Sequence, residues 1–264
     1  MNDEGENLSF WDHLDELRGT LMRIIGVAVL FAVVAFCFKD LLFDIVLAPT
    51  KSDFITYRLF DKLSQYTGAS VEPFSLNLIN ISLAQQFIVH MKTAFMAGLL
   101  CASPYILYAI LGFLAPALYK SERRYVYTLV GCGYLMFMVG MALCYLLIFP
   151  LTFRFLATYH VSAEVANMIS LDSYMSTFIS MCLMLGLVFE LPILSWLFAK
   201  LGLLRASFMR NYRKHAVVLI LIIAAIITPT SDAFTLALVS VPMWLLYEIS
   251  IKVVAKTQRA SDSQ

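Results

Sequence analysis

Apolar positions run almost unbroken through six stretches of the chain, and polar positions gather between them. A bilayer core about 30 Å thick takes about 20 helical residues to cross. Thr20–Phe38 supplies a first span, with Arg23 close enough to its end to snorkel. Phe87–Leu114 is the second, entered through His90 and Lys92 and bent at Pro104. Tyr125–Leu151 is the third, with tyrosines placed as interfacial anchors, and Tyr174–Ala199 is the fourth. Ala216–Thr228 is short and almost wholly aliphatic, reaching only about 20 Å. Phe234–Val254, with Pro242 and Glu248, is the sixth. One long loop, residues 39–86, follows the first span; within it Phe54–Tyr66 mixes apolar and charged residues and predicts a short amphipathic helix.

Composition agrees with lipid as the solvent. Hydrophobic residues make up 61% of the 264 and charged ones 14%, with a mean hydropathy of +0.80. A soluble domain carries about a quarter charged residues. A net charge of +1 gives no basic field to recruit nucleic acid. Lysine and arginine are unevenly placed: 13 fall on the side of both termini and 6 on the other, which puts both ends in the cytoplasm. Residues 1–19 are acidic, unlike a signal peptide, so the first span reads as a retained helix. The five cysteines lie in apolar runs without C-x-x-C spacing and read as packing residues. No internal repeat is visible, which argues against a transporter built from inverted repeats.

Three features stand out from this background. His13-Leu-Asp-Glu-Leu-Arg18 precedes the first span, its acids suited to a helix start. Phe113 to Arg124 (FLAPALYKSERR) links spans two and three. Lys120, Arg123 and Arg124 suffice as cytoplasmic anchors, which leaves Glu122 either in an ion pair within the loop or exposed for an incoming guanidinium. Two carboxylates at one membrane face can each take an arginine in bidentate geometry, a fit lysine lacks. Phe189-Glu190-Leu-Pro192 lies deep in span four. An ionisable group there needs an internal partner such as Lys92, a proton, or a polar group from another subunit. Asp232 is placed to cap the sixth helix. No H-E-x-x-H, G-x-S-x-G, dinucleotide or P-loop spacing occurs, and no two histidines have metal-ligand spacing on one helix, so neither an enzyme, a cofactor nor a metal site is expected.

Together these segments resemble the TatC family, the multispanning core of the twin-arginine protein translocase. The match runs along almost the whole chain. It comprises His13–Arg18, Ala48-Pro49, Phe113–Arg124, Gly140-Met141-Ala142 with Phe149-Pro150-Leu151, Phe189-Glu190-x-Pro192, and Thr228-Pro229 through Asp232. The resemblance implies an all-helical integral membrane fold, one membrane domain over residues 1–264. Its six transmembrane helices form a cupped, glove-like arrangement with short helices five and six, in a bacterial inner membrane. It implies a cytoplasmic receptor for the Arg-Arg motif of signal peptides on folded cargo, driven by the proton gradient without a bound nucleotide. Glu16 and Glu122 are the implied guanidinium ligands, with Arg18, Phe113, Lys120, Arg123 and Arg124 shaping the site. Phe189, Glu190 and Pro192 are the implied contact for single-span TatA- and TatB-type partners; Pro49 and Asp232 matter for outer loops and assembly, and copies self-associate. Three departures occur. The outer loop is longer between Pro73 and Lys92, the Thr228–Asp232 turn has one extra residue, and Thr235-Leu236 stands where a glutamine is common. The competing reading is a small-solute transporter, which needs ionisable residues around a midplane cavity.

Overall fold

A computed structural model describes residues 10–67, 78–114, 126–159, 162, 167–228 and 232–262. Those residues are helical throughout, apart from turns and one isolated parallel bridge between Ile79 and Ser170. In order they form α1 (Phe10–Cys37), α2 (Lys39–Val46), a 3-10 turn (Ala48–Thr50), α3 (Ile55–Thr67), α4 (Gln85–Leu114) and α5 (Val126–Leu143). A π-helical turn (Cys144–Ile148) then leads into α6 (Phe149–Thr158), α7 (Leu171–Val188), α8 (Leu191–Lys200), α9 (Ala206–Asn211), α10 (Arg213–Ile227) and α11 (Ala233–Asp262). Five stretches are long and apolar enough to cross a membrane: Leu14–Cys37, Gln85–Phe113, Tyr127–Thr158, Leu171–Lys200 and Ala233–Arg259. The remaining stretch, fifth in order, is α10, whose 15 residues reach only about 22 Å. The amphipathic helix expected over Phe54–Tyr66 is α3, with Thr56 and Tyr57 turned inward and Ile55 and Leu59 exposed.

Prolines explain where the spans bend. A proline leaves the carbonyl four residues back without its helical donor. At Pro104 that carbonyl belongs to Leu100, and the Ser103 hydroxyl donates to it at 2.7 Å, so α4 stays continuous. At Pro150 it belongs to Leu146, and the hydroxyl of Thr56 donates to it from α3. The third span therefore does not stop near residue 151 but runs on through the π turn into α6. Pro49 stands in the 3-10 turn just after α2, and the Ile45 carbonyl near the end of α2 accepts the Tyr145 hydroxyl at 2.7 Å. Pro192 acts differently: span four, expected as one helix over 174–199, is two, with the chain turning at Phe189-Glu190 between α7 and α8.

α1 lies along α4 and little else, so much of its apolar surface stays exposed in a membrane-thickness stretch. The two backbones meet closely at Gly98, where an added Cβ would sit 2.5 Å from the Ala32 nitrogen. The main core gathers where α5, the π turn, α6 and α7 meet, around Phe149, Tyr174, Phe178 and Met181. α11 packs on α8, α9 and α10. Gly202 supplies the left-handed turn (φ 72°) that closes α8, its neighbour Leu203 bonding back to the Phe198 carbonyl at 2.9 Å.

At the end of the molecule opposite the start of α1, side-chain hydroxyls tie the long loop to the spans. The Tyr57 hydroxyl lies 3.0 Å from the Pro49 carbonyl and 3.2 Å from that of Pro150, and donates between them. Tyr174 donates to the Val46 carbonyl at 2.8 Å. Burial pushes the Tyr57 hydroxyl well above its ordinary pKa; the nearby Arg154 guanidinium, 5.6 Å over the ring, opposes this and does not cancel it.

Candidate functional site

At the end of the molecule where α1 begins and α4 ends, Glu16, Thr20 and Arg23 form one stripe along α1 at i, i+4 and i+7. They line a groove of about 180 Å³ against Tyr105, Tyr108 and Phe113 of α4. Glu16 and Phe113, chosen from the sequence, thus meet in one place. Arg18 is exposed on α1 and does not line this groove. Lys120, Glu122, Arg123 and Arg124, with Pro116, lie outside the described residues. Their segment joins the ends of α4 and α5, where Tyr108 stacks on Tyr127 with ring centroids 6.0 Å apart.

Arg23 had an ordinary explanation as a snorkelling residue, and Tyr105 and Tyr108 did not stand out in the sequence. The signal that could have placed Arg23 in the groove is its spacing from Glu16 and Thr20. Nothing local to the sequence marks the two tyrosines as part of the same groove.

The second candidate site lies within the membrane-crossing stretch. Glu190 is 5% exposed, and its Oε1 has no hydrogen-bond partner among the described residues. Lys92 is not its partner: that ammonium binds Asp172 at 2.9 Å and Ser176 at 3.3 Å. Two glycines of α5, seven residues apart, make room for the turn between α7 and α8. A Cβ at Gly133 would lie 3.2 Å from Glu190 Oε2, and one at Gly140 would lie 2.8 Å from Cγ of Phe189. Phe189 and Pro192 are buried, whereas Leu187, Leu191 and Leu194 face outward around them. The carboxyl is therefore held against α5 in a snug apolar shell, a costly state for a group with an unmet hydrogen bond.

The remaining expected positions have plain structural roles. Pro49 is buried in the 3-10 turn with its carbonyl on Tyr57. Asp232 Oδ1 accepts the Thr235 N–H at 2.8 Å and caps α11. Thr235 is itself fully buried, so it is not presented outward in place of the common glutamine. Glu248 pairs with Arg213 at 2.7 Å, tying α10 to α11. No group of three or more potential metal ligands occurs among the described residues.

A bundle of membrane-length helices with interrupted spans and carboxylates set apart from the basic anchors defines a multispanning α-helical membrane protein. The comparisons make the family definite. Residues 12–242 match the family described as Sec-independent protein translocase protein (TatC), and the chain belongs to that family. It is 32% identical over 257 residues to the Sec-independent protein translocase protein TatC of Blattabacterium sp. subsp. Periplaneta americana (strain BPLAN), covering 95% of this chain and 96% of that one. It is 35% identical over 251 residues to the same-named protein of Koribacter versatilis (strain Ellin345), covering 94% and 85%. A crystal structure of the twin arginine translocase receptor TatC superposes with a TM-score of 0.74 at 30% identity, over 93% of this chain and 99% of that one.

Proposed function

We propose that this chain is the receptor and scaffold subunit of a twin-arginine translocase. It is a single six-span membrane domain of a bacterial inner membrane with both ends in the cytoplasm. Its cytoplasmic face binds the Arg-Arg motif of signal peptides on folded cargo, and its spans recruit single-span TatA- and TatB-type partners for export driven by the proton gradient. The observation that carries the reading is the groove in which Glu16 and Phe113 converge with Tyr105 and Tyr108, at the end of the molecule from which the Glu122 segment also departs. A carboxylate beside tyrosine rings suits a guanidinium, which takes bidentate hydrogen bonds in its plane and stacks on aromatic faces.

Glu16 and Glu122 are the arginine ligands in this reading, and Arg18, Lys120, Arg123 and Arg124 set the approach. Glu190, with Phe189 and Pro192, is the partner contact. A polar group from another subunit would meet the hydrogen bond that the chain itself leaves open. The transporter reading is less well supported: the interior cavity of about 310 Å³ is lined by Met96, Met138, Met141, Phe178 and similar apolar groups, and Glu190 is not among them.

The test is site-specific crosslinking of an Arg-Arg signal peptide to the protein in native membranes. Glu16→Ala and Glu122→Ala should each abolish the crosslink while insertion and accumulation persist. An undiminished crosslink in the double variant defeats the assignment. Thiol labelling of single cysteines near residue 259 from each side of sealed vesicles tests the orientation.

A further inference from the structure

α2, the first turns of α4 and Leu171 at the start of α7 border a cavity of about 450 Å³ that the translocase reading does not use. Its polar lining is Lys39, Gln86 and His90; Phe43, Leu47 and Phe87 complete most of the wall, and no carboxylate lines it. His90 is 9% exposed, and its Nε2 has no hydrogen-bond partner among the described residues. Its ring is pinned flat on Phe36, with centroids 3.9 Å apart, and edge-on to Phe43 at 5.8 Å. A buried imidazole nitrogen left unmet calls for an explanation. Lys39 makes no ion pair among the described residues; the nearest acids in sequence, Asp40 and Asp44, are exposed on α2 outside the cavity. Asp172, next to the lining residue Leu171, is held by Lys92. The cavity also sits over the first turns of α4, where the helix dipole favours an anion.

A second, wholly apolar trough of about 360 Å³ runs between α1 and α4, lined by residues such as Val29, Val33, Met91 and Phe95. The two spaces share Phe87 as a common wall, and Phe36 lines the trough while stacking on His90. A cationic chamber thus lies side by side with an apolar trough, at the level where a membrane-length helix ends. A soluble phosphate would use only the chamber, and a hydrocarbon only the trough.

We infer that this composite site holds a glycerophospholipid of the outer leaflet, its phosphodiester against Lys39, Gln86 and His90 and one acyl chain along the α1–α4 trough. The phosphate oxygens take charge-assisted hydrogen bonds from Lys39 and neutral ones from the Gln86 amide, and a small shift of the His90 ring off Phe36 brings its imidazole N–H to the same oxygens.

Native mass spectrometry of the full chain released from detergent tests this, with dioleoyl phosphatidylglycerol, dioleoylglycerol and glycerol phosphate as probes. One phosphatidylglycerol per chain should be retained about tenfold over dioleoylglycerol. Lys39→Gln with His90→Phe should abolish that preference, and Val33→Trp, which narrows only the trough, should weaken retention of both lipids. Lys39 is exposed, so Lys39→Gln alone decides the matter if the double variant fails to fold; it should lower phosphatidylglycerol retention several-fold. Equal retention of the two lipids, or retention unchanged by these substitutions, overturns the inference and leaves annular lipid. Displacement of phosphatidylglycerol by glycerol phosphate overturns it in favour of a soluble anion.

Discussion

The chain contains two kinds of proline interruption, and they are resolved in opposite ways. At the end opposite the start of α1, Pro150 strips the donor from the Leu146 carbonyl and the Thr56 hydroxyl replaces it, while near Pro49 the Tyr145 hydroxyl donates to the Ile45 carbonyl. Tyr57 and Tyr174 add further bonds to the same backbone. At Pro192 the span breaks instead, and beside the break the buried Glu190 Oε1 finds no partner. A region where long-range hydroxyls answer backbone carbonyls is a clamp, even though the buried Thr152 hydroxyl beside Pro150 finds no partner among the described residues. A break that leaves a buried carboxyl open invites a group from outside. In a membrane, where water does not make up the deficit, the proposed partner contact at Glu190 and the hydroxyl-tied end should therefore answer differently to substitution.

The largest effect expected from breaking this contrast is at Tyr57. Tyr57→Phe removes the donor shared by the Pro49 and Pro150 carbonyls and should cost about 1–3 kcal/mol. A lowered midpoint in thermal unfolding of the detergent-solubilised protein checks this, and an unchanged midpoint breaks the idea of a clamp. The same hydroxyl predicts a pH dependence. Its folded pKa is raised above the ordinary value of 10.0, so the unfolded chain loses the proton first. Its contribution is therefore complete below pH 10 and is lost progressively as the pH rises above it toward the folded value. Tyr57→Phe should flatten that alkaline decline, measured as the difference between the two melting profiles.

Glu190 should behave in the reverse sense. Because its carboxyl is buried and unmet, Glu190→Leu should leave the isolated protein at least as stable, while association with a single-span partner falls. Melting and co-purification are measured on the same preparation. Loss of stability together with loss of partner would mean that the carboxyl serves the fold, and the contrast with the clamp would disappear.

How much of this was legible in the sequence depends on the range of the interaction. The spans were legible because burial in lipid acts on local composition: all six apolar stretches are helical, and the shortness of α10 follows directly from Ala216–Thr228. Glu190 stood out because a charge in an apolar run is conspicuous wherever the chain goes. The break at Phe189-Glu190 was half visible in Pro192, but Pro104 and Pro150 lie in equally apolar runs and do not end their spans. What separates them is whether a hydroxyl arrives to replace the missing donor. For Pro150 it comes from Thr56, 90 residues away in sequence, which no local pattern reveals. The choice of Lys92 as an internal partner for Glu190 failed for the same reason: Asp172 reaches it first, from the start of another helix. The groove at Glu16 was legible in its carboxylate and Phe113, and not in the tyrosines that complete it.

The smallest effect sharpens the rule rather than the site. Pro104 lies in α4 as Pro150 lies in the third span, but its freed carbonyl is answered locally, by Ser103 on the same helix. A local donor restores the ladder without tying two elements together, so Ser103→Ala should cost only about 0.5–1.5 kcal/mol and leave the hydroxyl-tied end unchanged. Thermal unfolding gives the first quantity, and proteolysis of the 39–86 loop gives the second. If Ser103→Ala opens that loop as readily as Tyr57→Phe does, the clamp is a property of the whole bundle and not of the long-range hydroxyls. If only Tyr57→Phe opens it, hydroxyls that reach across the chain, and not a donor on the same helix, are what anchor the 39–86 loop.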